Sequence, residues 1–269
     1  MDSRFEEGRT ASPEALTLAL ATAPPPFVEG AFLNPALDPA HLLLALKNPS
    51  IGGSLIVRIS RQKAWIKPYE VKAAIVLHPK TPRAVAMNLV TFLWWRDLVR
   101  VIDRAILPPP LRRTAERILS IRLQELAVGE KITLARIASR GLIPALRGEE
   151  DPLIIRALLH NPRLLEEDAL AIACAGRTPA PVLRVLADDS LFAPRPAVQK
   201  AIARHRETPP AIALHIVQGL STRDLKDLAR GPRVPGLVKV AAQRLLEARR
   251  HPDGEISDGK APPHRRDRA

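Results

Sequence analysis

The stretch HRETPPAIALHIV, residues 205–217, repeats the stretch HPKTPRAVAMNLV, residues 78–90. Residues 71–119 align with residues 198–246 without a gap, at the offset that takes His78 to His205, and 17 of these 49 aligned pairs are identical. This offset is named the repeat offset. Chance does not produce so many identities in register, even in a chain rich in alanine and leucine. The chain is therefore a tandem duplication.

A second shared phrase stands upstream of each copy. It reads ALKNP up to Pro49 and LLHNP up to Pro162, so the offset between these phrases is smaller than the repeat offset. The second copy is thus predicted to have gained fourteen positions between its two phrases, within the stretch CAGRTPAPVLRVLADDSLFAPRP from Cys174 to Pro196.

Short apolar segments, separated by breaks that contain proline, make up each copy. Val198 and Ile202 lie four residues apart, and Ile212 and Ile216 resume this spacing after the prolines at positions 209 and 210. A spacing of three or four residues places apolar side chains on one face of a helix. Each unit is therefore predicted as helix, break, helix.

The breaks carry recognisable helix-start signals. Thr81 and Thr208 each precede a proline, and this order favours a threonine cap with proline in the first turn of the following helix. Glu166, Glu167 and Asp168 are predicted to lie in a first helical turn, where the helix dipole favours negative charge.

Helical pairs of this kind bury their apolar faces by stacking on their neighbours. The predicted fold class is all-α, an α-solenoid of short helical repeats built as a tandem duplication. Five segments are predicted: a partly disordered N-terminal arm at 1–30, a first repeat copy at 31–119, a helical bridge at 120–156, a second repeat copy at 157–250 and a disordered tail at 251–269.

Two stretches of the chain carry a family resemblance. EDPLIIRALLHNPRLLEEDALAIA, from residue 150, and PRPAVQKAIARHRETPPAIALHIV, from residue 194, resemble the leucine-rich repeat variant and related HEAT-like bacterial repeats. The resemblance implies an all-α superhelix that presents a binding surface. The iron-sulfur cluster of one known example is not carried over, because the chain has a single cysteine, Cys174.

The formal net charge is +13, and residues 1–40 are net acidic, so the positive charge is concentrated between residues 41 and 246. Such a charge attracts nucleic acid or an acidic partner. Arginine outnumbers lysine by 31 to 10, a bias that a GC-rich coding sequence also produces. The charge by itself leaves both interpretations open.

No catalytic, cofactor-binding or metal-binding group is predicted. The chain lacks a phosphate-binding glycine loop, and its seven histidines show no ligand spacing. His78 and His205 fill the same repeat position and are interpreted as loop residues beside helix caps. Cys174 is predicted as a buried structural thiol. Since no apolar run reaches the length of a membrane span and no signal peptide is evident, a cytoplasmic protein without membrane insertion is expected.

The two copies differ most clearly at the stretch FLWWRDL of the first copy, which aligns with GLSTRDL of the second copy. Trp94 and Trp95 point about 100° apart on a helix, so one can enter the core while the other lies at an edge. With Arg96, Arg100 and Arg104 they form the candidate partner-binding surface. The alternatives are that both rings pack in the core and that the arginines form a solvated face.

The predicted function is a non-catalytic scaffold that mediates protein–protein interaction. The alternative is a nucleic-acid-binding helical array that uses an Arg-rich face, in outline similar to the HEAT-like alkylpurine DNA glycosylases. An enzyme with a site assembled across repeats has no positive support in the sequence.

Overall fold

The computed structural model describes residues 2–250, and within them every regular element is helical. This confirms the all-α class. The tail predicted as disordered at 251–269 lies outside the described residues.

The described residues fall into two compact units, unit 1 up to Leu146 and unit 2 from Arg147. The boundary lies inside the segment 120–156 that the sequence predicts as a helical bridge. Unit 1 contains twelve α-helices within the described residues: α1 Ser3–Thr10, α2 Pro13–Ala19, α3 Pro25–Ala31, α4 Pro39–Ala45, α5 Gly53–Arg61, α6 Lys63–Ile66, α7 Tyr69–Leu77, α8 Arg83–Leu89, α9 Trp95–Asp103, α10 Pro109–Arg122, α11 Val128–Ile137 and α12 Ile143–Leu146. It also has two 3₁₀ turns, Val90–Phe92 and Leu123–Glu125. The described part of unit 2 has seven: α13 Pro152–Leu159, α14 Glu166–Cys174, α15 Ala180–Ala187, α16 Pro196–Arg204, α17 Pro210–Gly219, α18 Thr222–Arg230 and α19 Gly236–Arg250.

The duplication is visible in the helix boundaries. At the repeat offset, α7 and α9 match α16 and α18 at both ends, and α8 and α10 match α17 and α19 at their first residues. The correspondence extends upstream at the same repeat offset, where the first residues of α3, α4 and α5 match those of α13, α14 and α15. The aligned copies therefore share their secondary structure as well as their sequence.

The structure contradicts the predicted insertion of fourteen positions in the second copy. At the repeat offset the counterpart of α5 is α15 and that of α4 is α14, and the break residue Asn161 corresponds to Asn34 and not to Asn48. The two copies therefore correspond without a gap from the starts of α3 and α13 onward, and the smaller offset paired two different breaks of the repeat.

Buried asparagine and histidine side chains hold the breaks between helices. The side chain of each accepts a hydrogen bond from the backbone N–H two residues further on; these residues are Asn34, Asn48, His78, Asn161 and His205. Asn48 also donates to the carbonyls of Leu20 at 3.0 Å and Ala23 at 2.8 Å. Because buried polar groups are costly without partners, these bonds fix each break against the preceding helical pair.

The prediction that Thr81 and Thr208 cap the following helix is wrong, because they bond to the preceding one. The hydroxyls of Thr81, Thr178 and Thr208 donate backward to the carbonyl six residues earlier, over 2.5–2.7 Å. The last carbonyls of a helix have no helical partner, and these hydroxyls satisfy one at the end of each preceding helix. The following proline itself occupies the N-cap position.

The acidic first turn of α14 is as predicted. Glu166, Glu167 and Asp168 are its first three residues, and the Asp168 carboxylate accepts from the Leu165 N–H at 3.1 Å. Asp168 is buried, and the Arg147 guanidinium lies 3.7 Å from its carboxylate. These acids therefore serve the start of the helix.

Where the sequence predicts a partly disordered arm at 1–30, the structure has α1, α2 and most of α3. Gly8 of α1 faces the backbone of Phe27, and Gly30 of α3 faces the backbone of Phe5, so closely that a Cβ at either glycine would lie about 2 Å from a carbonyl oxygen. The two helices therefore pack backbone to backbone. This contact needs few large apolar residues, which is why the segment looks weakly structured in sequence.

Candidate functional site

Trp94 occupies the N-cap position of α9 and is 65% exposed. Its indole lies flat on the ring of Tyr69 at the start of α7, with 3.9 Å between ring centroids and 12° between the ring planes. The stack leaves the opposite face of the indole open. Trp94 is thus the member of the tryptophan pair that stays at the edge.

A short hydrogen-bond network fixes this stack. The Tyr69 hydroxyl donates to the Asp97 carboxylate at 2.5 Å and accepts from the Trp94 N–H at 3.0 Å. Burial of the phenol, reinforced by its hydrogen bond to Asp97, raises the pKa of Tyr69 to about 12. Arg100 holds the other oxygen of Asp97 at 2.8 Å. The exposed ring therefore stands on an ordered support.

Phe92 extends the exposed aromatic area. It ends the 3₁₀ turn Val90–Phe92, it is 61% exposed, and the Lys72 ammonium lies 5.8 Å from its ring centroid. Lys72 follows Tyr69 by one helical turn on α7, so Phe92 and Trp94 both contact side chains of the same helix. Tyr69, Phe92 and Trp94 together are named the aromatic surface.

Trp95 has a different role from its neighbour. It is half-buried, and its indole N–H donates to the Glu130 carboxylate at 2.9 Å, which links α9 to α11. This bond, with a second from the Ala127 N–H, lowers the pKa of Glu130. The Arg96 guanidinium lies 5.3 Å from the Trp95 ring centroid.

The remaining predicted residues are partly engaged within unit 1. Arg96 is exposed in the first turn of α9, and Arg100, exposed in its last turn, pairs with Asp97. Arg104 lies just beyond α9 and donates to the Leu77 carbonyl at 2.8 Å, which closes the end of α7. The structure therefore places Trp94, Trp95 and Arg96 at the start of α9, connects Arg100 to the Trp94–Tyr69 stack through Asp97, and sets Arg104 beyond the end of the helix.

Sequence reasoning missed Tyr69 and Phe92, although the comparison of the copies contained the signal. Their counterparts at the repeat offset are Pro196 and Gly219, just as Ser221 is the counterpart of Trp94. All three aromatic residues are thus confined to the first copy. In the second copy Ser221 caps α18 by accepting from the Asp224 N–H at 3.2 Å.

The prediction of a buried Cys174 is wrong. The thiol is exposed at the last residue of α14. Its helical neighbours Ile172 and Ala173 face the core, and the helix geometry turns the thiol side outward, which composition alone does not reveal.

Arg122, in the last turn of α10, is also engaged within the chain. Arg122 donates to the carbonyls of Leu93 and Thr91, and Arg249, its counterpart at the repeat offset, donates to the carbonyls of Leu220 and Gln218. Both arginines therefore bind the chain segment before α9 or α18. The structural duplication accordingly continues past the aligned stretch to Arg122 and Arg249.

Within residues 2–250, no three His, Cys, Asp or Glu side chains converge in a way that could hold a metal ion. In the same residues no helix combines the length and apolar character needed to cross a membrane. No family model, curated protein or solved structure matches the chain.

Proposed function

We propose that this chain is a non-catalytic helical-repeat scaffold of the solenoid class, similar to the leucine-rich repeat variant and HEAT-like repeats, and that it binds a protein partner through the aromatic surface. The observation that carries the proposal is the exposed indole of Trp94, held by Tyr69 and open on its other face.

Ordered aromatic side chains at the surface support a protein partner. Tryptophan, tyrosine and arginine dominate the binding energy of protein interfaces. Here Arg100 bonds to Asp97, which also holds Tyr69, and Arg96 lies over the ring of Trp95. A preformed stack also lowers the entropy lost on binding, because the ring is held in place before the partner arrives. Large exposed apolar patches commonly mark interaction sites.

The alternative, a nucleic-acid-binding array with an Arg-rich face, is supported by the net charge of +13. In unit 1 it is less well supported than protein binding. Arg100, Arg104 and Arg122 direct donors to groups of the chain itself, which leaves fewer free donors for phosphates. Trp94 also has only one open face for a base.

The substitution Trp94→Ser tests the proposal with little cost to the fold, since the second copy already has serine at this position. A serine there is expected to cap α9 as Ser221 caps α18, and such a cap is worth about 1 kcal/mol, which offsets the lost aromatic stack of about 1 kcal/mol. Loss of a tryptophan anchor is expected to weaken binding of a purified partner by about 2 kcal/mol or more, roughly thirtyfold.

The measurement is an affinity capture from host lysate with wild type, Trp94→Ser and Leu18→Ser, followed by calorimetric titration of each captured protein. Leu18 is an exposed apolar residue on α2, so its replacement controls for a general loss of surface hydrophobicity. Partners retained by Leu18→Ser and lost by Trp94→Ser support the proposal. Full retention by a folded Trp94→Ser variant contradicts it.

A further inference from the structure

Unit 2 has a groove at the C-terminal ends of α14 and α16. Its volume is about 540 Å³. Small residues and arginines line it together: Ala173, Gly176, Ala201, Arg204, Arg206 and Arg233. The lining therefore combines apolar area with guanidinium groups.

A second groove of about 340 Å³ adjoins the first, because Arg204 lines both. Lys226 and Arg230 add positive charge to it. Its one acidic lining residue, Asp227, forms an ion pair with Lys200 at 3.2 Å. The two adjoining grooves are together named the basic groove.

Only some cations of the basic groove are engaged by acids of the described chain. Lys200 is held by Asp224 at 2.8 Å and by Asp227, and Arg206 by Glu207 at 3.1 Å. In contrast, no ion pair within residues 2–250 involves the remaining four: Arg204, Lys226, Arg230 and Arg233. The groove thus presents positive charge to a partner.

The first copy provides an internal comparison. At the position equivalent to the groove between α14 and α16 it has one of about 500 Å³, in which Leu77 and Pro79 stand where the second copy has Arg204 and Arg206. Its two arginines are used internally, Arg100 by Asp97 and Arg104 by the Leu77 carbonyl. The groove of the first copy therefore has leucine in place of Arg204, and its own arginines bond to other groups of the chain.

We propose that the basic groove binds an acidic protein segment that also carries apolar side chains. The inference rests on the proposed scaffold function and gives that scaffold a second docking site with a partner of stated chemistry. The planar fork of arginine matches a carboxylate with two hydrogen bonds, and the alanine and glycine lining leaves room for aliphatic side chains. A phosphate backbone would use the charge but not this apolar lining.

The test is fluorescence anisotropy on the full chain with a short fluorescein-labelled peptide that alternates Glu and Leu. The double variant Arg204→Glu/Arg233→Glu reverses two groove charges on exposed side chains. Arg184→Glu/Arg244→Glu is the matched control, because these exposed arginines line neither groove and the net charge changes equally. The groove variant is expected to bind about tenfold more weakly or worse than wild type, while the control stays within about twofold.

A peptide that alternates Glu and Ser and an oligothymidylate of similar length complete the experiment. Weaker binding of the Glu/Ser peptide supports the role of the apolar lining. Equal loss in both double variants, equal affinity for the two peptides, or no binding by wild type overturns the proposal. Tighter, groove-dependent binding of the oligothymidylate overturns it in favour of nucleic acid. Repeating the titration with Trp94→Ser separates the two sites, since that variant is expected to keep the peptide affinity of wild type.

Discussion

The most informative single residues are the buried polar ones at the breaks between helices. His78 and His205 do there what asparagine does at positions 34, 48 and 161: each accepts from the N–H two residues on. His205 also approaches the Ala175 carbonyl at 3.0 Å. The interpretation of the histidines as break residues was thus possible from their repeat position, but their bonds to another helical pair were not.

Acid is expected to weaken the fold through His78. Its Nδ1 accepts from the Lys80 N–H at 3.1 Å and must be unprotonated to do so, and burial, the largest cause, lowers the pKa of His78 from 6.5. The unfolded chain therefore takes up this proton first, so stability present above pH 6.5 is lost as the pH falls through the lowered folded-state pKa.

The variant His78→Asn places in this break the side chain used at three others, and it does not titrate. We expect its melting temperature to fall less than that of wild type between neutral pH and pH 5, measured by circular dichroism. An identical fall in both proteins would show that His78 does not contribute.

At high pH, Tyr69 is expected to make the stability of the fold depend on pH in the opposite direction. It is the only tyrosine of the chain, and its pKa is raised from 10.0 to about 12. The folded state therefore keeps a proton that the unfolded chain loses, and stability declines as the pH rises from about 10 towards 12. Tyrosinate absorbance should stay low at pH 11 in the folded protein and appear near pH 10 in urea. Asp97→Asn is expected to lower the folded-state pKa, and a midpoint near 10 in native wild type would contradict the network.

At the scale of helices, the main departure from sequence-based expectation is the packing of α1 on α3. Periodicity identifies helices by their apolar faces, and α1 has almost none: Gly8 is its one buried residue. The contact depends on the absence of side chains at Gly8 and Gly30. A glycine in a polar segment ordinarily predicts a loop, whereas here both glycines lie in packed helices.

Gly8→Ala is expected to destabilise unit 1 by about 1–3 kcal/mol, as overpacking does, because the new Cβ would lie 2.1 Å from the Phe27 carbonyl oxygen. Gly129→Ala is the control, since open space surrounds Gly129 in the first turn of α11, and its stability should be unchanged or raised by up to about 1 kcal/mol. Urea unfolding followed by tryptophan fluorescence measures both, because all three tryptophans belong to unit 1. Equal stability of the two variants would exclude the close helix contact.

For the whole molecule, the division at Leu146 and Arg147 places the two copies in separate compact units. Unit 2 has its own apolar core, in which residues of α16 to α19 meet, among them Val217, Leu225 and Val238. A fragment that begins at Arg147 is therefore expected to be helical by circular dichroism and to unfold cooperatively on heating. A fragment without helical signal would show that unit 2 depends on unit 1.

By itself the sequence determined the all-α class, the duplication and the positions of the breaks, because periodicity and proline act locally and recur at constant offsets. It also directed attention to Trp94 and Trp95, but it could not say which ring is exposed. Only the tertiary structure decided that Trp94 stands open on Tyr69 while Trp95 is held by Glu130. The physical reason is that side-chain exposure, the pairing of charges and backbone-to-backbone packing depend on which helices contact each other. Those contacts are made by residues far apart in sequence.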